Sequence, residues 1–194
     1  MRQLSFGPKG HAGAISQEVQ YGFGAAGDGN EIPTVPAGSG DTENVTSTVL
    51  YDDAAIAELY YMIEEEKLAG DIYEAFYDLY GLKIFDQIAT SEDRHFDALI
   101  SQAENIGLDV DVFLLEPAGT FLNDELQEMY DTLLASGSVS VTDALEVGLA
   151  IETKDMTDIA EAIEEVEGTP LAETYDHLLT GSGYHLDAFA SLLA

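Results

Sequence analysis

The sequence predicts an all-α protein: a four-helix bundle with one short extra helix in a long crossover between the second and third long helices. Three observations carry this. From about residue 53 onward, apolar side chains recur in steps of three and four, the period of helices that bury one face. Glycine, proline and capping residues cut that pattern into four long segments and one short one. No β-rich stretch competes, and 194 residues with 46% apolar content suffice for one sizeable core.

Residues 1–50 stand apart. They are rich in Gly, Ser and Thr, contain three of the five prolines and show no sustained period, so they read as a flexible arm. His11 lies in that arm and reads as a surface residue. The bundle domain is expected over residues 51–194, starting at the N-cap candidates Asp52 and Asp53. The first helix is predicted over 53–80, ending before Gly81, and the second over 83–106, stopped by Gly107. Residues 107–121, with Pro117–Ala118–Gly119, form a connection. A short helix over 123–135 follows, capped by Asn123; Gly137 with Ser138 or Ser140 then breaks and recaps the chain. The third long helix covers 141–167. "GTP" at 168–170 is a turn, and the fourth helix begins near Pro170, a residue suited to a first turn.

The expected core stripes carry an anomaly. On the first helix the stripe reads Leu59, Met62, Glu66, Ala69, Tyr73, Phe76, Tyr80; on the second, Phe85, Ile88, Glu92, His95, Leu99. The third gives Leu145, Gly148, Glu152, Asp155, Ile159, Ala162, Val166, and the fourth Leu171, Tyr175, Leu178, Ser182, His185, Phe189, Leu192. All four are interrupted by polar residues near their middles. For any one acid, a tilt toward solvent is an equally good reading in so acidic a chain. Four coincident interruptions favour the other: a belt of Glu66, Glu92, Glu152 and Asp155 with His95 and His185. Such acids repel one another unless a cation sits among them, and carboxylate with imidazole suits iron or manganese.

Neighbouring residues read more plainly. Glu64 is expected to face water, and Glu65 turns inward only if the register is shifted. Lys67 reads as an ion-pair partner, Lys154 beside the belt as solvent-facing, with neutralisation of an acid as the alternative, and His177 as an edge residue. Gly181 and Gly183 flank Ser182 inside the last helix, where each costs roughly 1 kcal/mol relative to alanine. They remove bulk beside the belt, for a ligand, a local distortion or close helix packing. "GSVSVTDALEVG" lacks the glycine spacing and lysine of a phosphate loop and reads as a turn and cap.

The segments "YMIEEEKLAGDIY" (61–73), "IFDQIATSEDRHFDALI" (84–100), "GSVSVTDALEVGLAIETKDMTDI" (137–159) and "LLTGSGYHLDAF" (178–189) resemble the DUF2202 family, a rubrerythrin-related branch of the ferritin-like superfamily. The resemblance spans residues 53–194 and implies a ferritin-like bundle that binds one or two irons, or manganese. Through it, Glu66, Glu92, His95, Glu152, Asp155 and His185 become the expected metal ligands. Glu92 takes the bridging role, Tyr73 is the tyrosine beside the site, and Asp155 sits where rubrerythrins carry an additional carboxylate. Ser182 departs from the pattern, which has a bridging glutamate there. Asp155, or less favourably Glu65, supplies the missing oxygen; or one half binds a single ion firmly; or the site has become a hydrogen-bond network.

Glu92, Ser182 and Tyr73 are the residues expected to take part in the chemistry. The implied activity is oxidation of Fe(II) or reduction of a peroxide or O₂, with an external electron donor, since a chain without cysteine cannot hold a thiolate-ligated relay. The alternative is a non-enzymatic, stress-associated bundle with a vestigial site. A homo-oligomer is compatible with either.

The charge is extreme: 38 acidic residues against 6 Lys and Arg, net −32. Ordinary apolar content argues against general disorder, so the excess coats the surface. Such a coat opposes binding to nucleic acid or anionic membrane and suits a salt-rich cytoplasm, where repulsion is screened. The first residues show no apolar segment of signal-peptide kind, and a cytoplasmic setting is expected. Circular dichroism should therefore show native helix lost at low ionic strength and regained in concentrated KCl. Full helicity at both extremes would indicate an acidic protein adapted to ordinary salt.

Overall fold

A computed structural model describes residues 51–194. The arm expected over residues 1–50, with His11, lies outside them. The described residues form six helices: α1 (Asp53–Tyr80), α2 (Lys83–Asn105), α3 (Asp111–Leu115), α4 (Asp124–Gly137), α5 (Val141–Glu165) and α6 (Pro170–Leu193). The four long helices and the short helix of the crossover lie where the sequence puts them. The five-residue α3 is an addition, formed within the stretch read as a plain connection.

Local chemistry sets the boundaries. The Asp52 side chain caps α1 by accepting the Ala55 amide at 2.9 Å. Gly81 ends it in the left-handed region, φ 66°, with its amide bonded to the Tyr77 carbonyl. Asn123 caps α4, Ser140 caps α5 and Thr169 caps α6, each accepting a first-turn amide.

Printed contacts fix the helix directions. Tyr61 meets Lys154, whereas Tyr73, three turns on, meets Glu152 and Gly148, so α1 runs antiparallel to α5. Gln102 meets Thr174 while Phe85 meets Phe189, so α2 runs antiparallel to α6. With α1 and α2 joined by a tight turn, α2 and α5 must point the same way. The chain therefore has to travel back along the bundle between them, and α3 and α4 occupy that return.

Two apolar layers fill the interior. One contains Tyr73, Phe76, Phe85 and Phe189, with ring centroids 5.3–6.3 Å apart. Glycine makes room for it: a Cβ at Gly137 would lie 2.0 Å from the Phe76 ring, and one at Gly148 2.7 Å from the Phe189 ring. The other layer includes Leu59, Met62, Leu99, Ala103, Ile159, Leu171, Tyr175 and Leu178. The predicted stripes are buried nearly throughout, fraying at Leu192, which is half exposed. No described helix is long and apolar enough to cross a membrane.

α1 has a second buried face. Glu64, expected in water, is 5% exposed and accepts the backbone amides of Leu122 and Asn123. Lys67 pairs with Asp71 at 2.6 Å and donates to the Pro117 and Thr120 carbonyls. Asp71 also accepts the Gly119 amide at 2.8 Å, where the chain turns with φ 75°. Three polar residues on one side of α1 thus clamp residues 117–123. Glu64→Ala should remove a charged acceptor from two amides and lower unfolding free energy by about 1.5–3 kcal/mol. Urea denaturation reads the loss, and hydrogen exchange at Leu122 and Asn123 should accelerate first.

Candidate metal centre

Between the two apolar layers, each long helix contributes to one polar belt. α1 presents Glu66; α2 presents Glu92 and, one turn later, His95; α5 presents Glu152; α6 presents His185. The i,i+3 spacing puts Glu92 and His95 on one face of α2. α1 packs against α2 beside Glu92: at Gly70 an added Cβ would meet the Glu92 Cβ at 3.6 Å, an ordinary contact.

Glu92 is the centre. Its Oε2 lies 2.8 Å from His95 Nδ1 and its Oε1 lies 2.8 Å from His185 Nδ1. His95 Nδ1 is also 3.2 Å from Glu66 Oε2, and His185 Nδ1 is 3.5 Å from Glu152 Oε2. The two rings stack at 5.5 Å between centroids. Two three-residue clusters result, Glu66–Glu92–His95 and Glu92–Glu152–His185, sharing one carboxylate.

Burial and proximity set the charges. Burial alone would raise Glu92, but hydrogen bonding to the two imidazoles outweighs it and brings the carboxyl to about 2. Burial lowers both histidines, yet the facing carboxylates push His95 up to about 10 and His185 up to about 9. Glu66 is raised to about 8, chiefly by burial, and Glu152 to about 7 by burial and by Glu92. Asp155 is pushed well above the usual carboxylate range by burial, then by Glu66, Glu65, Glu152 and Glu92. Protons on the imidazoles thus do what a cation would do.

The donor set fits a metal. Oxygen and nitrogen donors about 2.0–2.2 Å from one ion and at right angles to one another sit about 3 Å apart, close to the 2.8–3.5 Å between each histidine nitrogen and its two carboxylates. Glu66 Oε1 and Asp155 Oδ1 are buried with no hydrogen-bond partner among the described residues, which a cation would remedy. The residues are hard-to-borderline donors suited to iron or manganese.

The other predicted residues fall around this centre. Tyr73 donates to Glu152 Oε1 at 2.6 Å, and burial, with Glu152 next, raises its hydroxyl well above the usual range, so it stays a donor. Asp155 is buried beside the belt but belongs to neither cluster. Ser182 is fully buried and donates to the Leu178 carbonyl of its own helix at 3.1 Å. His177 is exposed.

Lys154 departs from its solvent-facing reading. It pairs with Glu65 and Asp158 and donates to the Tyr61 hydroxyl at 2.8 Å. Glu65 thereby turns inward without any change of register, and its charge is engaged by Lys154. Asp158, one turn after Lys154, was not singled out by the stripe pattern; its i,i+4 spacing from the lysine was the available signal.

Comparison with known proteins agrees with the fold. A family described as an uncharacterized protein domain, DUF2202, matches residues 55–194. The uncharacterized protein MJ0754 of Methanocaldococcus jannaschii is 36% identical over 132 residues, 68% of this chain and 71% of that protein. The crystal structure of hypothetical protein MJ0754 from Methanococcus jannaschii is similar with a TM-score of 0.68 and 32% identity, covering 84% of this chain and 85% of that one.

The protonation pattern predicts how metal-free stability varies with pH. Glu66, Glu152, His95 and His185 all have raised values in the fold, so the folded state holds more protons than the unfolded one and stability falls as pH rises. That decline should run from about pH 5, near the ordinary carboxylate range, through the raised histidine values near pH 10. Glu92, held low, adds the opposite slope below its ordinary range, with stability lost as pH drops toward 2. Melting curves of chelator-treated protein should therefore show a site-dependent maximum near pH 5. His95→Gln should flatten the alkaline limb.

Proposed function

The chain belongs to the DUF2202 family, and we propose that its belt is a ferritin-like di-iron centre that oxidises Fe(II) or reduces a peroxide or O₂. The observation that carries this is Glu92, a buried carboxylate facing one histidine with each oxygen. A residue so placed is suited to bridge two ions. Glu66 and His95 would complete one set of ligands, and Glu152 and His185 the other, with manganese as the alternative metal. Bound iron would supply the redox chemistry toward O₂ or peroxide.

The protein's own contribution is positional and electrostatic. Tyr73 fixes the orientation of Glu152 through its 2.6 Å hydrogen bond. Asp155 adds a carboxylate with a free buried oxygen on the α5 side. Ser182, its hydroxyl already committed to Leu178, leaves α6 without a second bridging anion. The apolar layers on either side keep bulk water from the centre. Electrons for repeated turnover would come from an external donor, because the chain has no cysteine with which to ligate an iron relay.

One observation favours a second reading. Glu92 is already neutralised by two imidazoles with raised pKa values, so the belt can persist as a metal-free network that fixes helix register. Anaerobic Fe(II) titration of chelator-treated protein separates the two. Two equivalents bound per chain, with a raised melting temperature, are expected, and both should be lost in Glu92→Ala. Addition of O₂ or H₂O₂ should then change iron absorption and consume peroxide faster than free iron does. Substoichiometric, easily removed metal with unchanged melting would leave the register role.

A further inference from the structure

We propose that Gly181 is the positioning residue of His95: its missing side chain is the space into which the outer edge of that imidazole fits. This rests on the reading of His95 as a metal ligand. A Cβ at Gly181 would lie 2.6 Å from His95 Nε2 and 2.9 Å from Cε1, well inside van der Waals contact. The ring has no room to retreat. On its inner edge Nδ1 is 2.8 Å from Glu92 and 3.2 Å from Glu66, and the His185 ring stacks beside it. Any side chain at 181 must swing His95 away from one or both carboxylates.

Gly181 has no other structural excuse. It lies inside α6 without a positive φ, so its backbone conformation is open to any residue, and glycine is the poorest helix former after proline. Gly183, two residues on, is a built-in comparison: a Cβ there would meet Met156 Cε at 3.8 Å, an ordinary contact. The two glycines of "GSG" therefore have different reasons to be present. Gly181 leaves room for the Nε2 edge of His95 against α6 while Nδ1 faces the two carboxylates. It acts on the ligand through packing alone and touches neither metal nor substrate.

The test is a cycle of G181A, G183A, H95A and G181A/H95A, read first by melting of chelator-treated protein. With His95 present, G181A should lower the melting temperature. With H95A it should raise it by about 2–4 °C, the gain from replacing a helical glycine once the clash is gone. G183A should raise it with His95 present.

The second readout is Co(II) binding, by equilibrium dialysis and visible absorption. G181A should weaken by about 10–100-fold the same equivalent that H95A removes, and G183A should retain both. The Co(II) comparison of the two alanine variants stands without the H95A background. Equal stabilisation by G181A in both backgrounds, with unchanged Co(II) binding, would overturn the proposal. If the unsubstituted protein binds no Co(II), the metal reading fails, whereas the melting cycle still decides whether Gly181 positions His95.

Discussion

The structure depends on one electrostatic constraint: four carboxylates buried at the same height in an apolar bundle. Glu66, Glu92, Glu152 and Asp155 are each no more than 5% exposed, and a buried carboxylate without a partner is among the costliest features a fold can contain. Glu92 is stabilised as an anion by its two imidazoles, while Glu66, Glu152 and Asp155 are driven toward their neutral forms. The belt thus has two ways to balance its charge, by binding protons or by binding cations. Metal ions compete with protons for these ligands.

Much of the surrounding packing follows from keeping that belt in place. Gly181 admits His95, and Gly148 admits the Phe189 ring beside Tyr73. Tyr73 in turn holds Glu152. Outside this ring, Lys154 engages two further buried acids, Glu65 and Asp158, with one positive charge. In a chain with only 6 basic residues, placing one of them here indicates how strongly the α1–α5 interface requires local neutralisation. A surface pair would contribute little; one this sheltered is screened far less by salt.

The bundle and the belt were legible because both rest on periodicity. A polar residue on an apolar stripe announces itself, and four such residues near mid-helix imply one layer once the helices pack. What periodicity does not encode is what packs on the other side of a helix. Glu64 was read as solvent-facing because a bundle helix has one buried stripe, yet the crossover covers a second face of α1 and turns Glu64 into an acceptor for Leu122 and Asn123. Periodicity leaves Lys154 divided between solvent and an acid for a related reason: its partner Glu65 is 89 residues away in sequence. Helix α3, at five residues, is too short to show a period. The purpose of Gly181 needed the position of His95, a contact made across helices.

The α1–α2 and α5–α6 pairs present their belt residues in the same order, and the positions where they differ are informative. Glu66 on α1 corresponds to Glu152 on α5, and the Glu92–His95 pair on α2 corresponds to Ser182–His185 on α6. By the same correspondence Ala69 on α1 is matched by Asp155 on α5. One half therefore lacks a carboxylate at 182 and gains one at 155, each about one turn from its local ligand. The acids that face the centre are therefore unevenly placed. α5 carries both Glu152 and Asp155, whose buried Oδ1 has no hydrogen-bond partner among the described residues, whereas α6 offers the neutral Ser182, its hydroxyl bonded to Leu178, and one histidine. Glu92 is the carboxylate that faces both imidazoles, so the charge balance of the two halves meets on it.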